Sequence, residues 1–323
     1  MHFPPIKQVP KGFARRMPPA VFAPLLGALA LVGVWRNLAS VFGWPPALAQ
    51  LAAGMAVAAA LFCYAAYGAK ILRRPAVLAE ELAILPGRAG CGAAVVSVYM
   101  LAVVIGPFAP SLARAVLVAG MALHLAFWSV LIPVMMRKAG QGRVTPVWQL
   151  NFVGPIVAAL AASQLGWEGL ARAIWYPAAA MALFIWAVSL DQARRERIPA
   201  PLRPLLAIHL APVAVLGTVA AGLGMEAAAG LFALVALLAV AVMFAGARWL
   251  TEAGPSPLWG AFTFPLSATA GLWLVLAQNT PIWRIPGAIM AVFASLVVLW
   301  VLGFVWRDWA SGRLAAKTNA AIA

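Results

Sequence analysis

PSPLWGAFTFPLSATAG, residues 255–271, is the stretch whose reading decides the fold. Ser256 is placed to cap a helix, and Pro257 falls at the first helical position, where proline is tolerated. A second proline, Pro265, then falls inside the helix. It has no N–H to donate, so the carbonyl of Ala261 loses its partner and the helix is expected to bend. Around the bend, Gly260, Phe264, Ser267 and Gly271 share one face, at steps of four, three and four residues. That face is small, mildly polar and bare apart from one ring. It suits the wall of a narrow pore with Phe264 as its plug. Close helix packing, which also favours Gly, Ala and Ser, is the competing reading.

Working outward, the chain is 323 residues, 65% hydrophobic and 10% charged, with a mean hydropathy of +0.95. Soluble domains carry about 25% charged residues, so these values define an integral membrane protein. Ten apolar runs are each long enough to cross about 30 Å of hydrocarbon. They cover 18–40, 46–69, 85–106, 110–136, 145–163, 168–190, 202–222, 226–250, 257–278 and 284–306. This predicts a short tail over 1–17, a transmembrane domain over 18–306 and a second tail over 307–323. Cys63 and Cys91 lie in or beside apolar runs and form no redox or metal spacing.

The formal charge is +15, yet the basic residues form no stripe for nucleic acid; they occupy the gaps between apolar runs. Of the 23 Lys and Arg, only Arg36, Arg114, Arg172 and Arg284 fall on one side of the expected topology. The positive-inside rule therefore puts both termini in the cytoplasm, which needs an even number of spans. The links on the sparse side are short, and those on the basic side are longer. The chain thus reads as five helical hairpins, an internal repeat of about 55–70 residues. Pro24, Pro155, Pro212 and Pro265 interrupt odd-numbered spans; the third span offers Gly90, Gly92 and Ser97 instead. Backbone freed by such residues must be satisfied by protein or water. The expected fold is all-α, with five bent helices around a central axis in a pseudo-fivefold arrangement and five straighter ones outside.

No acidic residue is expected deep in a span, and no nucleotide loop, serine-hydrolase elbow or metal cluster is present. These absences argue against an enzyme, a cofactor and a carboxylate-driven antiporter. Three polar residues lie near the bends of odd spans. Asn151 is one turn before Pro155, and its own carbonyl is the one that proline orphans. His209 precedes Pro212 by three residues, and Ser267 follows Pro265 by two. For Asn151, a hydrogen bond to a neighbouring helix competes with pore lining. For His209, a structural group competes with a proton relay. The tryptophans read as an interfacial belt. A pathway with no fixed charge favours anions that lose water cheaply.

The segments Pro146–Phe152 (PVWQLNF), Leu210–Pro212 (LAP) and Trp259–Pro265 (WGAFTFP) resemble motifs of the fifth, seventh and ninth spans of the tellurite-resistance/C4-dicarboxylate transporter family, TehA type. That family is related to the slow anion channels of plant guard cells. The resemblance extends over nearly the whole pattern of ten spans. It implies a homotrimer in the bacterial inner membrane, each subunit with its own pore, and Phe264 as the occluding gate. Phe262, about 200° away around the helix, would face elsewhere. The implied substrates are small anions or oxyanions moving through a channel or uniporter. The alternative is a proton-coupled exporter of C4-dicarboxylate, sulfite or tellurite, with His209 as the proton site.

Overall fold

A computed structural model describes residues 14–137 and 142–323. Lys7 and Lys11 of the basic tail, and Lys138, lie outside the described residues. All regular structure among the described residues is helical. In chain order the α-helices are α1 (Phe22–Phe42), α2 (Ala47–Arg73), α3 (Ala76–Leu82), α4 (Leu85–Ile105), α5 (Pro110–Arg137), α6 (Ile156–Gln164) and α7 (Glu168–Arg195). They continue as α8 (Leu210–Gly222), α9 (Glu226–Ala245), α10 (Ala247–Leu250), α11 (Gly260–Ala277), α12 (Arg284–Ala310) and α13 (Arg313–Lys317).

Nine segments of the described chain are helical, long and apolar enough to cross a membrane. They match nine of the ten expected runs. The fifth run, 145–163, is broken. It holds a π-helical turn, Gln149–Val153, and α6, with Gly154 and Pro155 between them. Proline cannot continue the hydrogen-bond ladder, and a π turn accommodates the local misfit by taking up one extra residue. The seventh run is also irregular, because its first half, Ala200–His209, is a 3-10 helix carrying Pro201 and Pro204.

Packing follows one rule around the molecule. α1 lies against α4 and α11, α4 against α6, α6 against α8, and α8 against α11, so the contacts close a ring. Each ring helix also packs on the long helix that follows it: α2, α5, α7, α9 or α12. Each of those in turn touches the next ring helix, with α12 returning to α1. Small residues permit the close approach. A side chain at Gly27 would collide with Thr263, and one at Gly92 with Asn151. In the most apolar windows of the outer helices only 17–33% of residues are buried, against 50–83% for α1, α4 and the segments holding α8 and α11. The outer helices expose large apolar side chains such as Leu51, Phe62, Leu125, Phe184, Leu238 and Leu296, a surface suited to hydrocarbon.

Two features fix the ring's ends and seams. The four arginines of the sparse side each donate to a carbonyl near the C-terminal end of a ring segment. Arg284 reaches Val41, Arg36 reaches Val104, Arg114 reaches Leu165 and Arg172 reaches Leu223. A cation there satisfies an orphan carbonyl and complements the helix dipole. Several tryptophans also bridge helices. Trp128, Trp175 and Trp186 donate to the carbonyls of Asn151, Leu216 and His209, and Trp273 to that of Ala233. These indoles are therefore more than interfacial anchors, since a buried indole N–H needs an acceptor.

Two expectations need correction. Ser256 is extended and its side chain makes no capping bond, because the first turn, Pro257–Trp259, is 3-10 and Trp259 N–H bonds the Ser256 carbonyl instead. The helix α12 continues to Ala310, and α13 follows it within the stretch after 306. A carboxylate is also fully buried. Glu81, on α3, pairs with buried Lys70 and accepts from Tyr67, while Lys70 also donates to the Met17 carbonyl at 2.7 Å. Burial pushes the Glu81 carboxyl above its usual range, against the pull of Lys70. A buried pair of this kind is retained only if both partners stay satisfied.

Candidate functional site at the centre of the ring

A cavity of about 70 Å³ lies where the five ring segments meet. Every segment contributes to its wall. Ala20, Ala23 and Leu26 come from the first, and Gly90, Ala93 and Val96 from α4. Gln149, Val153 and Val157 come from the broken fifth segment, and Ile208, Ala211, Pro212 and Val215 from the seventh. Gly260, Ala261, Phe264 and Pro265 complete it from α11. No charged side chain lines it; Gln149 and Thr318 are its polar ones. Its lining is almost entirely apolar.

Phe264 is 7% exposed and belongs to this wall. Phe262, two residues before it, is also buried but lines a separate apolar cavity, against Phe293, Val297 and Trp300. The two rings thus point to opposite sides of α11, as the 200° separation of i and i+2 requires.

The other sequence-derived candidates divide. Pro212, Gly260 and Pro265 line the central cavity with Phe264. Pro24, Asn151, Pro155, His209, Ser267 and Gly271 lie outside its lining. Ser267 is fully buried and donates to the Gly27 carbonyl on α1 at 3.2 Å. Pro24 packs near Gly260. Asn151 is fully buried with its amide at Gly92. Its carbonyl, deprived of a helical partner by Pro155, accepts from Trp128 Nε1 at 2.8 Å and His124 Nε2 at 3.0 Å. Tyr99 O–H lies 3.1 Å from His124 Nδ1. With Nε2 donating, Nδ1 is the acceptor and His124 is the neutral Nε2–H tautomer. His209 stands behind the wall, its Nδ1 3.5 Å from the amide nitrogen of Gln149.

Sequence reasoning overlooked Gln149 and His124. Gln149 sits in the motif 146–152, two residues before Asn151 and at steps of four from Val153 and Val157, with which it shares the wall. His124 lies on an outer helix, where only its distance to Asn151 reveals its part.

Ring, apolar cavity and lipid-compatible exterior together define a multi-pass helical membrane protein built around a constricted axis. A family model described as SLAC1, voltage-dependent anion channel, matches residues 16–306, and the chain belongs to that family. This places it among membrane anion channels and transporters. Comparison with curated proteins gave no match.

Proposed function

We propose that the protein is a channel or uniporter for small anions, with the ring axis as its pathway and Phe264 as the gate. The observation that carries this reading is the central cavity: all five ring segments wall it, no charge lines it, and a phenylalanine closes one side. A path without fixed cations binds no anion tightly, so it selects by ease of dehydration and permits rapid exit. The ring helices run in parallel, with their N-terminal ends towards the basic-rich face. Helix dipoles and the excess Lys and Arg there raise the local anion concentration.

Ten crossings in pseudo-fivefold order, with cytoplasmic termini, remain our reading of the topology. It is supported by the backbone bond from Ala323 N–H to the Arg15 carbonyl, 3.0 Å, which holds both ends of the described chain at one face. That requires an even number of crossings, which the nine full-length segments and the broken fifth supply. The bacterial inner membrane and a homotrimer are proposed from the family resemblance.

A second reading, proton-coupled export of a C4-dicarboxylate, sulfite or tellurite, draws on one observation: His209 touches Gln149, which lines the cavity. Reconstitution in proteoliposomes separates the two. For a channel or uniporter, chloride or nitrate flux follows the anion gradient and membrane potential with no proton co-movement. Flux that requires a pH gradient, and stops when it is collapsed, contradicts the first reading and supports the second.

A further inference from the structure

Thr318 lines the central cavity although no ring segment supplies it. It closes α13, it is buried, and every other residue of the lining belongs to the ring. Ala20, Pro86, Leu205 and Leu258 line the cavity near the start of their ring segments, the ends that face the basic-rich side. Phe264 stands deeper, about 9 Å along α11 from Leu258 at 1.5 Å per residue.

The stretch after α12 is folded to reach that position. Gly312, at φ 74°, reverses the chain, a backbone conformation that glycine adopts freely. Asn319, at φ 49°, ends α13, and Ala320 N–H bonds the Ala315 carbonyl at 2.8 Å. Leu314 and Ala315 are the buried apolar anchors. The other ties are polar. Asp308 accepts from Arg313 at 3.1 Å and from Lys317 at 2.6 Å. Arg74 Nε donates to the Ile322 carbonyl at 2.9 Å, and Ala323 N–H bonds the Arg15 carbonyl. The Thr318 hydroxyl donates back to the Leu314 carbonyl at 2.8 Å. Its hydrogen is committed there, so Thr318 offers an anion no donor. It obstructs the cavity; it does not bind in it.

A helix as short as α13 has little stability of its own. Ion pairs with exposed partners such as Arg313 and Lys317 add little to it. The ring closes through contacts among its own five segments. The stretch can therefore lift while the ring stays folded.

We propose that residues 313–323 form a lid over the basic-face mouth of the anion pathway, with Thr318 as the blocking side chain. This rests on the reading of the ring axis as that pathway. Lid and Phe264 stand in series. The lid is the weaker closure and limits flux only once the phenylalanine is gone.

Two measurements test it. The first is labelling of Ala261→Cys by a charged thiol reagent in detergent, read above the wild-type background; Ala261 lines the cavity one turn before Phe264. Removing residues 313–323 is expected to speed labelling about tenfold or more, since labelling tracks the open fraction of the mouth. The second is anion flux in proteoliposomes. Removing the segment leaves wild-type flux nearly unchanged, because Phe264 still closes the axis, and raises Phe264→Ala flux severalfold. Asp308→Asn keeps the buried Leu314 and frees Arg313 and Lys317, so it carries both tests where the deletion fails to fold. It is expected to act in the same direction and less strongly. Unchanged labelling in both variants overturns the proposal. Faster labelling with Phe264→Ala flux unchanged also overturns it, since a lid that does not slow anions closes nothing. Phe264→Ala flux equal to wild type, with or without the segment, removes the gate reading instead, and labelling then decides whether the lid covers the cavity.

Discussion

A proline inside a membrane-embedded helix leaves a carbonyl to be satisfied, and Asn151 is where this chain meets that demand most fully. Water is scarce at that depth, so the acceptor must find protein donors. Trp128 and His124, both on α5, supply two. Losing one donor leaves the carbonyl satisfied; losing both leaves it bare. Trp128→Phe is therefore expected to lower stability by about 0.5–1.5 kcal/mol, the net worth of one neutral hydrogen bond. Trp128→Phe combined with His124→Phe is expected to cost more than the sum of the two single changes. Thermal unfolding of the three variants in detergent measures this, and strictly additive losses would show that the two donors do not share the burden of that carbonyl.

At the scale of elements, most of the architecture was legible as apolar runs. Membrane spans are written in composition, so nine predicted runs reappear as helices whose ends shift by only a few residues. Phe264 and Phe262 were also legible, because helical periodicity alone puts them on opposite sides of α11. What escaped reading depends on partners remote in sequence. The π turn at Gln149–Val153 carries Gln149 in the cavity lining and leaves Asn151 out of it, and no local propensity announces the turn. The stretch Ala200–His209 is a 3-10 helix, and His209 at its end lies outside the lining of the central cavity. Glu81 reads as a loop carboxylate until α3 folds it against Lys70. The four sparse-side arginines read as topology signals, and only the packed ring shows that each also terminates a helix of a neighbouring hairpin. Charge counting sees the side of the membrane; it cannot see the acceptor.

At the scale of the whole molecule, the ring helices bury most of their surface within one chain, while the outer helices present broad apolar faces. On the proposed function, the pathway is complete in a single subunit, and the outer helices are the faces through which subunits would join side by side. Native mass measurement in mild detergent is expected to give a trimer, and a monomer throughout would remove that part of the account. The proposed gate at Phe264 draws on the same packing. The buried Phe264 ring contributes on the order of 1.5–3 kcal/mol by its burial. If that energy holds the axis shut, removing the ring raises flux on the order of ten- to a hundredfold, since about 1.4 kcal/mol corresponds to a factor of ten. Phe262 occupies the other side of α11, so its loss acts on stability alone. The most direct measurement is anion flux in proteoliposomes carrying wild type, Phe264→Ala or Phe262→Ala at matched protein content. The account requires Phe264→Ala to conduct far faster than wild type with anion preference little changed, and Phe262→Ala to match wild type. A Phe264→Ala flux equal to wild type, or a pathway opened by Phe262→Ala instead, would contradict it.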